Sequence, residues 1–334
     1  MISFIMPIYN TDIYDLKKTI DSIYRKCLER FEIILVNDGS TDKQIDVYCK
    51  EVNYKDEEHI VYIYQKNQGA AVARNRGLES AMGDYICFVD ADDELLDAFP
   101  DDTGLSKFDF DILVFDYYSY DRKDQLFHLG EERKLNNEKD DIYSNILLAP
   151  GTYNGFMFGA IWAKLFNRRF LEEKNIRFSD RLRKAQDRRF MLEAVNKAEN
   201  IYYLPYISYR YYSHMNSITH KRNLNMVKYY GYLYEDIKKY IEMNNIDIEH
   251  FKFFSYSIVN EALLLTIYHR ENDLNFHMRY KIYRELEKRC ELKKYLRDIK
   301  ISQMPTRKGK LRMILFKIDF FVMIDRAYRY LYKQ

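Results

Sequence analysis

Residues 83–93 (Gly83-Asp84-Tyr85-Ile86-Cys87-Phe88-Val89-Asp90-Ala91-Asp92-Asp93) constrain this chain more than any other stretch. A glycine opens a short β-branched, aromatic and apolar run, Tyr85 to Val89, which reads as a buried strand. Three carboxylates follow within four positions. In extended chain alternate side chains share a face, so Asp90 and Asp92 point the same way. Two like charges held that close repel unless a cation sits between them. An oxygen-only pair at the end of a buried strand suits Mg²⁺ or Mn²⁺, with substrate phosphates completing the shell. The competing reading is that Asp92 or Asp93 caps a helix beginning near Glu94-Leu95-Leu96. A cap needs one carboxylate and the stretch holds three, which favours metal–phosphate chemistry.

The first hundred residues alternate strand and helix. Strands are expected at Ile2–Ile8, Glu32–Val36 and Ile60–Tyr64. Helices are expected at Asp12–Arg25, with Leu16, Ile20 and Ile23 on one face, and at about Gly69–Ala81. The cluster Asn37-Asp38-Gly39-Ser40-Thr41-Asp42 is a turn running into a further helix. This alternation implies βαβ units and a mostly parallel sheet flanked by helices. Ligands of such sheets sit beyond the carboxyl ends of the strands, which gathers Tyr9-Asn10, Asp38 and Asp90–Asp92 on one edge.

Composition narrows the function. The chain has 334 residues, 47% apolar and 31% charged, so it folds as a globular protein with one large domain or two smaller ones. A net charge of +2 is too balanced for a nucleic-acid protein. The 32 tyrosines permit sugar-stacking surfaces. Cys27, Cys49, Cys87 and Cys290 form no CxxC pair, fit a reducing cytoplasm and offer no zinc site. Met1 leads straight into the first strand, so no secretory signal is expected. No apolar run approaches the roughly 20 residues of a membrane span.

Four segments now add up. Pro7-Ile8-Tyr9-Asn10, Val36-Asn37-Asp38-Gly39-Ser40-Thr41-Asp42, Asn67-Gln68-Gly69 with Ala73-Arg74-Asn75-Arg76-Gly77-Leu78, and Val89-Asp90-Ala91-Asp92-Asp93 occur in this order across about ninety residues. Together they resemble the family 2 inverting glycosyltransferases, which have the GT-A fold. The resemblance implies a nucleotide-sugar site, usually for a UDP-sugar, drawn from Pro7, Tyr9, Asp38, Asn67, Gly69, Arg74, Asp90, Ala91 and Asp92. Asp38 would contact the base or ribose, Arg74 the base or phosphates, and Asp90 with Asp92 would form the DXD pair that holds Mn²⁺ or Mg²⁺. Read singly, Asp38 is an ordinary turn aspartate, Arg74 a solvated helix arginine and Pro7 a strand end. Gly69 is a turn glycine that lets backbone approach a ligand.

Asp111–Tyr117 reads as another strand and Tyr117–Asn137 as a polar connection. Residues Gly159–Phe170 read as a helix carrying Trp162, the only tryptophan. Members of the family carry a similar Trp-x-Lys-Leu-Phe segment, followed by Glu-Asp before a helix. This chain has Gln186-Asp187 there, so Gln186 replaces the usual glutamate. The resemblance makes Asp187 the catalytic base; on its own it reads as a helix cap or first-turn residue. Trp162, Gln186 and His214 are candidates on the acceptor side, against a core tryptophan and a surface-loop histidine.

From about Asn223 the chain turns to long Tyr-, Lys- and Glu-rich helical stretches. The division expected is 1–220 for the GT-A domain (1–98 nucleotide-sugar half, 99–220 acceptor half) and 221–334 for a helical region. After Pro305, Met313, Phe316, Phe320, Met323, Ala327 and Leu331 fall on one helical stripe. Against Asp319 and Asp325 stand Arg307, Lys308, Lys310, Arg312, Lys317, Arg326, Arg329 and Lys333. Such a basic amphipathic helix lies in an anionic membrane interface, or packs on the domain or on a second subunit of a homo-oligomer. The expectation is therefore a metal-dependent, inverting transfer from a UDP-sugar to a glycan, plausibly lipid-linked, for a bacterial surface polysaccharide such as a capsule. It would act in the cytoplasm as a peripheral protein on the inner face of the membrane. Two alternatives stand beside it: a nucleotidyltransferase acting on a sugar phosphate, and a catalytically silent nucleotide-sugar binder or scaffold.

Overall fold

The computed structural model describes residues 1–27, 30–96, 105, 107–121, 123–212, 223–247, 251–269, 273–319 and 321–331. They divide into two compact units, 1–140 with 156–213, and 141–155 with 214–334.

The first unit opens with β1 (Ile2–Ile8), α1 (Ile13–Lys26), β2 (Phe31–Asp38), α2 (Lys43–Lys55), β3 (Ile60–Gln65), α3 (Ala70–Ser80) and β4 (Tyr85–Phe88). Asp12 caps α1 by accepting from the Tyr14 N–H at 2.8 Å, and Leu16, Ile20 and Ile23 are buried as their spacing predicts. Further strands are β5 (Glu94–Leu95), β6 (Ile112–Asp121), β7 (Lys123–Phe127) and β8 (Arg133–Lys134). After helix α4 (Lys139–Ile146), most of which belongs to the second unit, the first unit continues with β9 (Lys164–Asn167), α5 (Arg168–Glu173), α6 (Gln186–Lys197) and β10 (Ile201–Tyr212).

The sheet runs β3-β2-β1-β4-β9-β6-β10-β5, with β7 on β6 and β8 on β10. Its first four strands are parallel, so β1, β2 and β4 all end on one edge. Beyond β4 the sheet is mixed, because β9 enters antiparallel to both β4 and β6. Close approach of α3 to β1 depends on Gly77. A Cβ there would lie 2.4 Å from Ile5 Cγ2, so any larger residue pushes the helix off the strand.

Three local expectations are corrected. Residues 159–170 are not one helix. Their apolar stretch enters the sheet as β9, and only Arg168–Glu173 is helical, capped by Asn167. Ala163, at φ 52°, breaks any helix before Lys164. Nor does a helix begin at Glu94. Leu95 and Glu94 pair antiparallel with Tyr209 and Arg210, because β10 offers them an open edge. The stretch after Tyr117 is not an irregular connection either; β6 runs on to Asp121 and turns back as β7, with Tyr117 opposite Phe127.

The second unit is helical: α7 (Met226–Met243), α8 (Phe251–Leu265), α9 (Phe276–Arg289), α10 (Leu292–Leu296), α11 (Arg307–Ile318) and α12 (Phe321–Leu331). The expected continuous tail helix is split, since Asp319 takes a left-handed conformation (φ 53°) that ends α11. Met313 and Phe316, for whose stripe the sequence left both a membrane interface and packing on the domain open, are core residues. Tyr256 packs edge-on against Phe316 at 5.6 Å. Phe320 and Lys333 lie outside the described residues. No described helix is long and apolar enough to cross a membrane.

Candidate active site

The three parallel strand ends and the start of α3 enclose one cleft, lined by Pro7, Ile8, Tyr9, Thr11, Asp38, Ala70, Arg74, Asp90, Ala91 and Asp92. Ile8, Thr11 and Ala70 were not singled out by sequence, because nothing in their residue type signals a ligand. Gln186 opens α6 and is half-buried; His214 lies outside the described residues.

The loops at this edge are tied together by their own motif residues. Asn10, at φ 51°, donates its N–H to Ser40 Oγ at 3.0 Å, and its side-chain oxygen accepts from the Thr41 N–H at 2.8 Å. Asp38 is buried and accepts from the Gln68 N–H (2.7 Å), the Gly69 N–H (2.8 Å) and Gln65 Nε2 (2.8 Å). It thus shapes the turn that begins α3 as well as lining the cleft. Gly69 is the residue before α3, at φ 91°, a backbone state that glycine adopts without strain. Asn67 does not line the cleft; its backbone N–H would meet a Cβ on Gly39 at 2.7 Å, which accounts for that glycine.

Arg74 is the centre of the arrangement. It is 4% exposed, and so not a solvated helix arginine. One guanidinium nitrogen donates to Asp90 Oδ1 at 2.8 Å and the other to Asp187 Oδ1 at 2.9 Å. Burial works against its charge, but the two carboxylates outweigh that and hold its pKa above the ordinary arginine value. One cation therefore ties a strand-end carboxylate, Asp90, to the carboxylate expected to act as base.

Asp187 sits in the first turn of α6 but does not cap it. The residue before the helix is Ala185, left-handed at φ 50°, and the Asp187 carboxylate turns to Arg74. Burial raises its pKa, Arg74 pulls it back and Asp90 pushes it further up. Among the described residues Oδ2 of Asp187 has no hydrogen-bond partner, leaving it available to a hydroxyl. Two devices hold α6 here. Asn75 of α3 makes paired bonds to the Phe178 backbone (2.8 and 2.9 Å), and Phe178 stacks on Phe190 at 4.2 Å. Phe88 of β4 meets Phe190 edge-on at 5.6 Å. Aromatic pairs of this kind contribute about 0.5–1.5 kcal/mol each beyond area burial.

The third carboxylate, Asp93, is no part of the cleft wall. It is 1% exposed and accepts from the Tyr209 hydroxyl (2.7 Å) and the Tyr212 N–H (2.8 Å). Tyr209 in turn accepts from the Asp90 N–H at 3.1 Å. From the other side, Thr19 Oγ1 lies 2.7 Å from the Asp93 carbonyl and 3.1 Å from that of Ala91. The turn bearing Asp90 and Asp92 is thus gripped between α1 and β10. Burial raises the Asp93 pKa well above the ordinary carboxylate value, with Asp90 and Asp92 adding to it.

Trp162 is 4% exposed and stacks on Tyr209 (5.2 Å) and Tyr211 (5.4 Å), so it is a core tryptophan behind the same turn. Lys164, which sequence reading passed over as one letter of a motif, is 1% exposed. Among the described residues its ammonium has only long contacts, to the Trp162 carbonyl (3.4 Å) and the Met157 carbonyl (3.5 Å). Burial lowers its pKa to about 7, and the negative charge of Asp187 acts the other way.

The donor set fits a hard cation in one specific way. Among the described residues no three His, Cys, Asp or Glu side chains converge as a metal cage. Asp90 and Asp92 instead present oxygen ligands on the cleft wall, as suits Mg²⁺ or Mn²⁺ that takes its remaining ligands from phosphates and water.

Residues 3–172 match the model of the glycosyl transferase family 2, half of the chain. The chain belongs to that family. It is 34% identical over 179 residues to the glycosyltransferase GlyA of Streptococcus pneumoniae, covering 52% of this chain and 25% of GlyA. It is 27% identical to the putative glycosyltransferase EpsH of Bacillus subtilis, covering 73% of this chain and 70% of EpsH. A crystal structure of Staphylococcus aureus TarS 1–349 in complex with UDP-GlcNAc superposes with a TM-score of 0.65 at 16% identity, covering 98% of this chain and 91% of that one. The likeness to TarS establishes a shared fold, the GT-A arrangement.

Proposed function

We propose that the chain transfers a sugar from a UDP-sugar to a hydroxyl of a glycan acceptor, with inversion, in bacterial surface-polysaccharide synthesis. The observation that supports this reading is the Arg74 bridge, whose two guanidinium nitrogens hold the carboxylates of Asp90 and Asp187; the reading takes the first as donor-side and the second as the base. The structural likeness to TarS, whose crystal structure is a complex with UDP-GlcNAc, supports the choice of donor.

In this scheme Tyr9 and Asp38 border the nucleotide, and Asp90 and Asp92 hold Mn²⁺ or Mg²⁺. Such a cation, when bound there, would supply neutralisation of the charge that develops on the departing diphosphate. Oδ2 of Asp187 accepts the proton of the acceptor hydroxyl while that oxygen bonds to the anomeric carbon. The bond from that carbon to the diphosphate oxygen breaks on the opposite face, and UDP leaves. The raised pKa of Asp187 suits the role, since a base works best when its pKa approaches the working pH. A nucleotidyltransferase would attack phosphorus and release pyrophosphate, with no use for a base at Asp187. We assign the chemistry to residues 1–220 and the docking of a lipid-linked acceptor, at the inner membrane face, to residues 221–334.

The test is metal-dependent UDP release across a panel of nucleotide sugars, in wild type and Asp92→Ala. Losing Asp92, one of the two proposed cation ligands, should abolish transfer and weaken Mn²⁺-dependent UDP binding. Unchanged metal dependence in the variant rejects the assignment of Asp90 and Asp92.

A further inference from the structure

Helix α11 is apolar on two sides. Met313, Leu315 and Phe316 are buried within the helical unit. On the other side Leu311, Ile314 and Ile318 are 46%, 36% and 58% exposed. Their i, i+3, i+7 spacing confines them to about 60° of the helix surface. An amphipathic helix of a water-soluble domain needs one apolar stripe, and a second one in contact with water marks a surface meant to be covered.

The charge around that second stripe identifies what covers it. Arg307 continues its line, Lys310 and Lys317 flank one side, and Lys308 lies on the other; all four are exposed. Among the described residues none of the four makes an ion pair, and α11 contains no acidic residue. The acids next to it are already engaged: Lys293 lies 2.6 Å from Asp319, and Asp325 is buried with Arg279 at 2.7 Å. Three aliphatic side chains ringed by uncompensated cations match the acyl–headgroup boundary of an anionic bilayer. A second copy of the chain matches poorly, because a symmetric contact through this stripe would set lysines against lysines.

We propose that the Leu311–Ile314–Ile318 face of α11 seats the chain on an anionic lipid surface, a proposal that rests on the reading of a lipid-linked acceptor above. The apolar stripe enters the interface and the basic rim meets lipid phosphates, so binding weakens as salt shortens the screening length. The stripe is therefore not the Met313–Phe316 one that sequence spacing suggested.

The experiment is co-sedimentation of the full chain with vesicles of equimolar phosphatidylglycerol and phosphatidylcholine, and of phosphatidylcholine alone, at low and high salt. The wild type should bind the anionic vesicles and lose binding with salt. The combined variant Leu311→Gln, Ile314→Gln, Ile318→Gln should bind at least about tenfold more weakly at an unchanged melting temperature, since it alters only exposed positions. Lys310→Glu with Lys317→Glu should reduce the anionic preference alone. Equal binding by the Gln variant and wild type overturns the assignment of this face, and absent or salt-insensitive binding by wild type overturns the membrane reading itself. A dimer in sedimentation velocity that the Gln variant abolishes, without vesicle binding, gives the face to a second copy. UDP release with a soluble acceptor analogue should persist in the Gln variant, so loss of catalysis in wild type is a separate failure, that of the transferase reading.

Discussion

A buried, poorly partnered lysine is costly to the fold, and Lys164 makes that cost measurable. Its pKa of about 7 lies below the ordinary lysine value of 10.5. Below about pH 7 both folded and unfolded chains carry the charge, and the folded one pays the full desolvation penalty. As pH rises from about 7 towards the lysine value, the folded protein has released a proton that the unfolded chain still binds. Stability therefore rises with pH across that interval. Lys164→Met, close in volume and uncharged, should raise the melting temperature by at least about 3 °C near pH 6 and by clearly less near pH 9. A pH-independent difference, or a loss of stability near pH 6, contradicts a charged, poorly partnered Lys164. Sequence inspection had no access to this, because burial of a lysine is a property of the strand it joins.

At the scale of elements, the Asp90–Asp93 turn shows what sequence reveals and what it withholds. The strand β4, the carboxylates after it and their place at a sheet edge were legible from alternation and motif order. The use of Asp93 was not, since three adjacent aspartates look alike until one is turned inward by Tyr209 and Tyr212. Short apolar runs are likewise ambiguous between strand and helix. That is why Lys164–Asn167 was read as helix until pairing with β4 and β6 decided it. The grip of α1 and β10 on the turn predicts an effect on metal without loss of fold. Tyr209→Phe keeps the stack on Trp162 and removes the hydroxyl that links the Asp90 N–H to Asp93. Leaving such buried groups unpaired costs about 1–3 kcal/mol. We expect the Mn²⁺ concentration for half-maximal UDP binding to rise about tenfold, about 1.4 kcal/mol. An unchanged Mn²⁺ requirement, with only the melting temperature lowered, would reduce the link to a structural role.

Across the whole molecule, the chain combines a family 2 transferase unit with a helical unit, and the two were unequally legible. Strand–helix alternation and four short motifs sufficed for the first hundred residues, because motif residues such as Asn10, Asp38 and Arg74 shape a loop or line the cleft. The helical tail carries no such motif. Its periodicity identified helices, but could not say which of two apolar stripes faces the core, since Met313 and Leu311 look equally apolar as letters. The central claim concerns the one carboxylate that joins the two halves of the site, Asp187. Asp187→Asn keeps its size and can still bond to Arg74, but it cannot take a proton. Steady-state transfer and UDP-sugar binding should be measured on the same preparation. Turnover should fall by about 10²–10⁴-fold with donor affinity near wild type. Turnover above about a tenth of wild type would contradict that claim and leave Asp187 as a first-turn partner of Arg74.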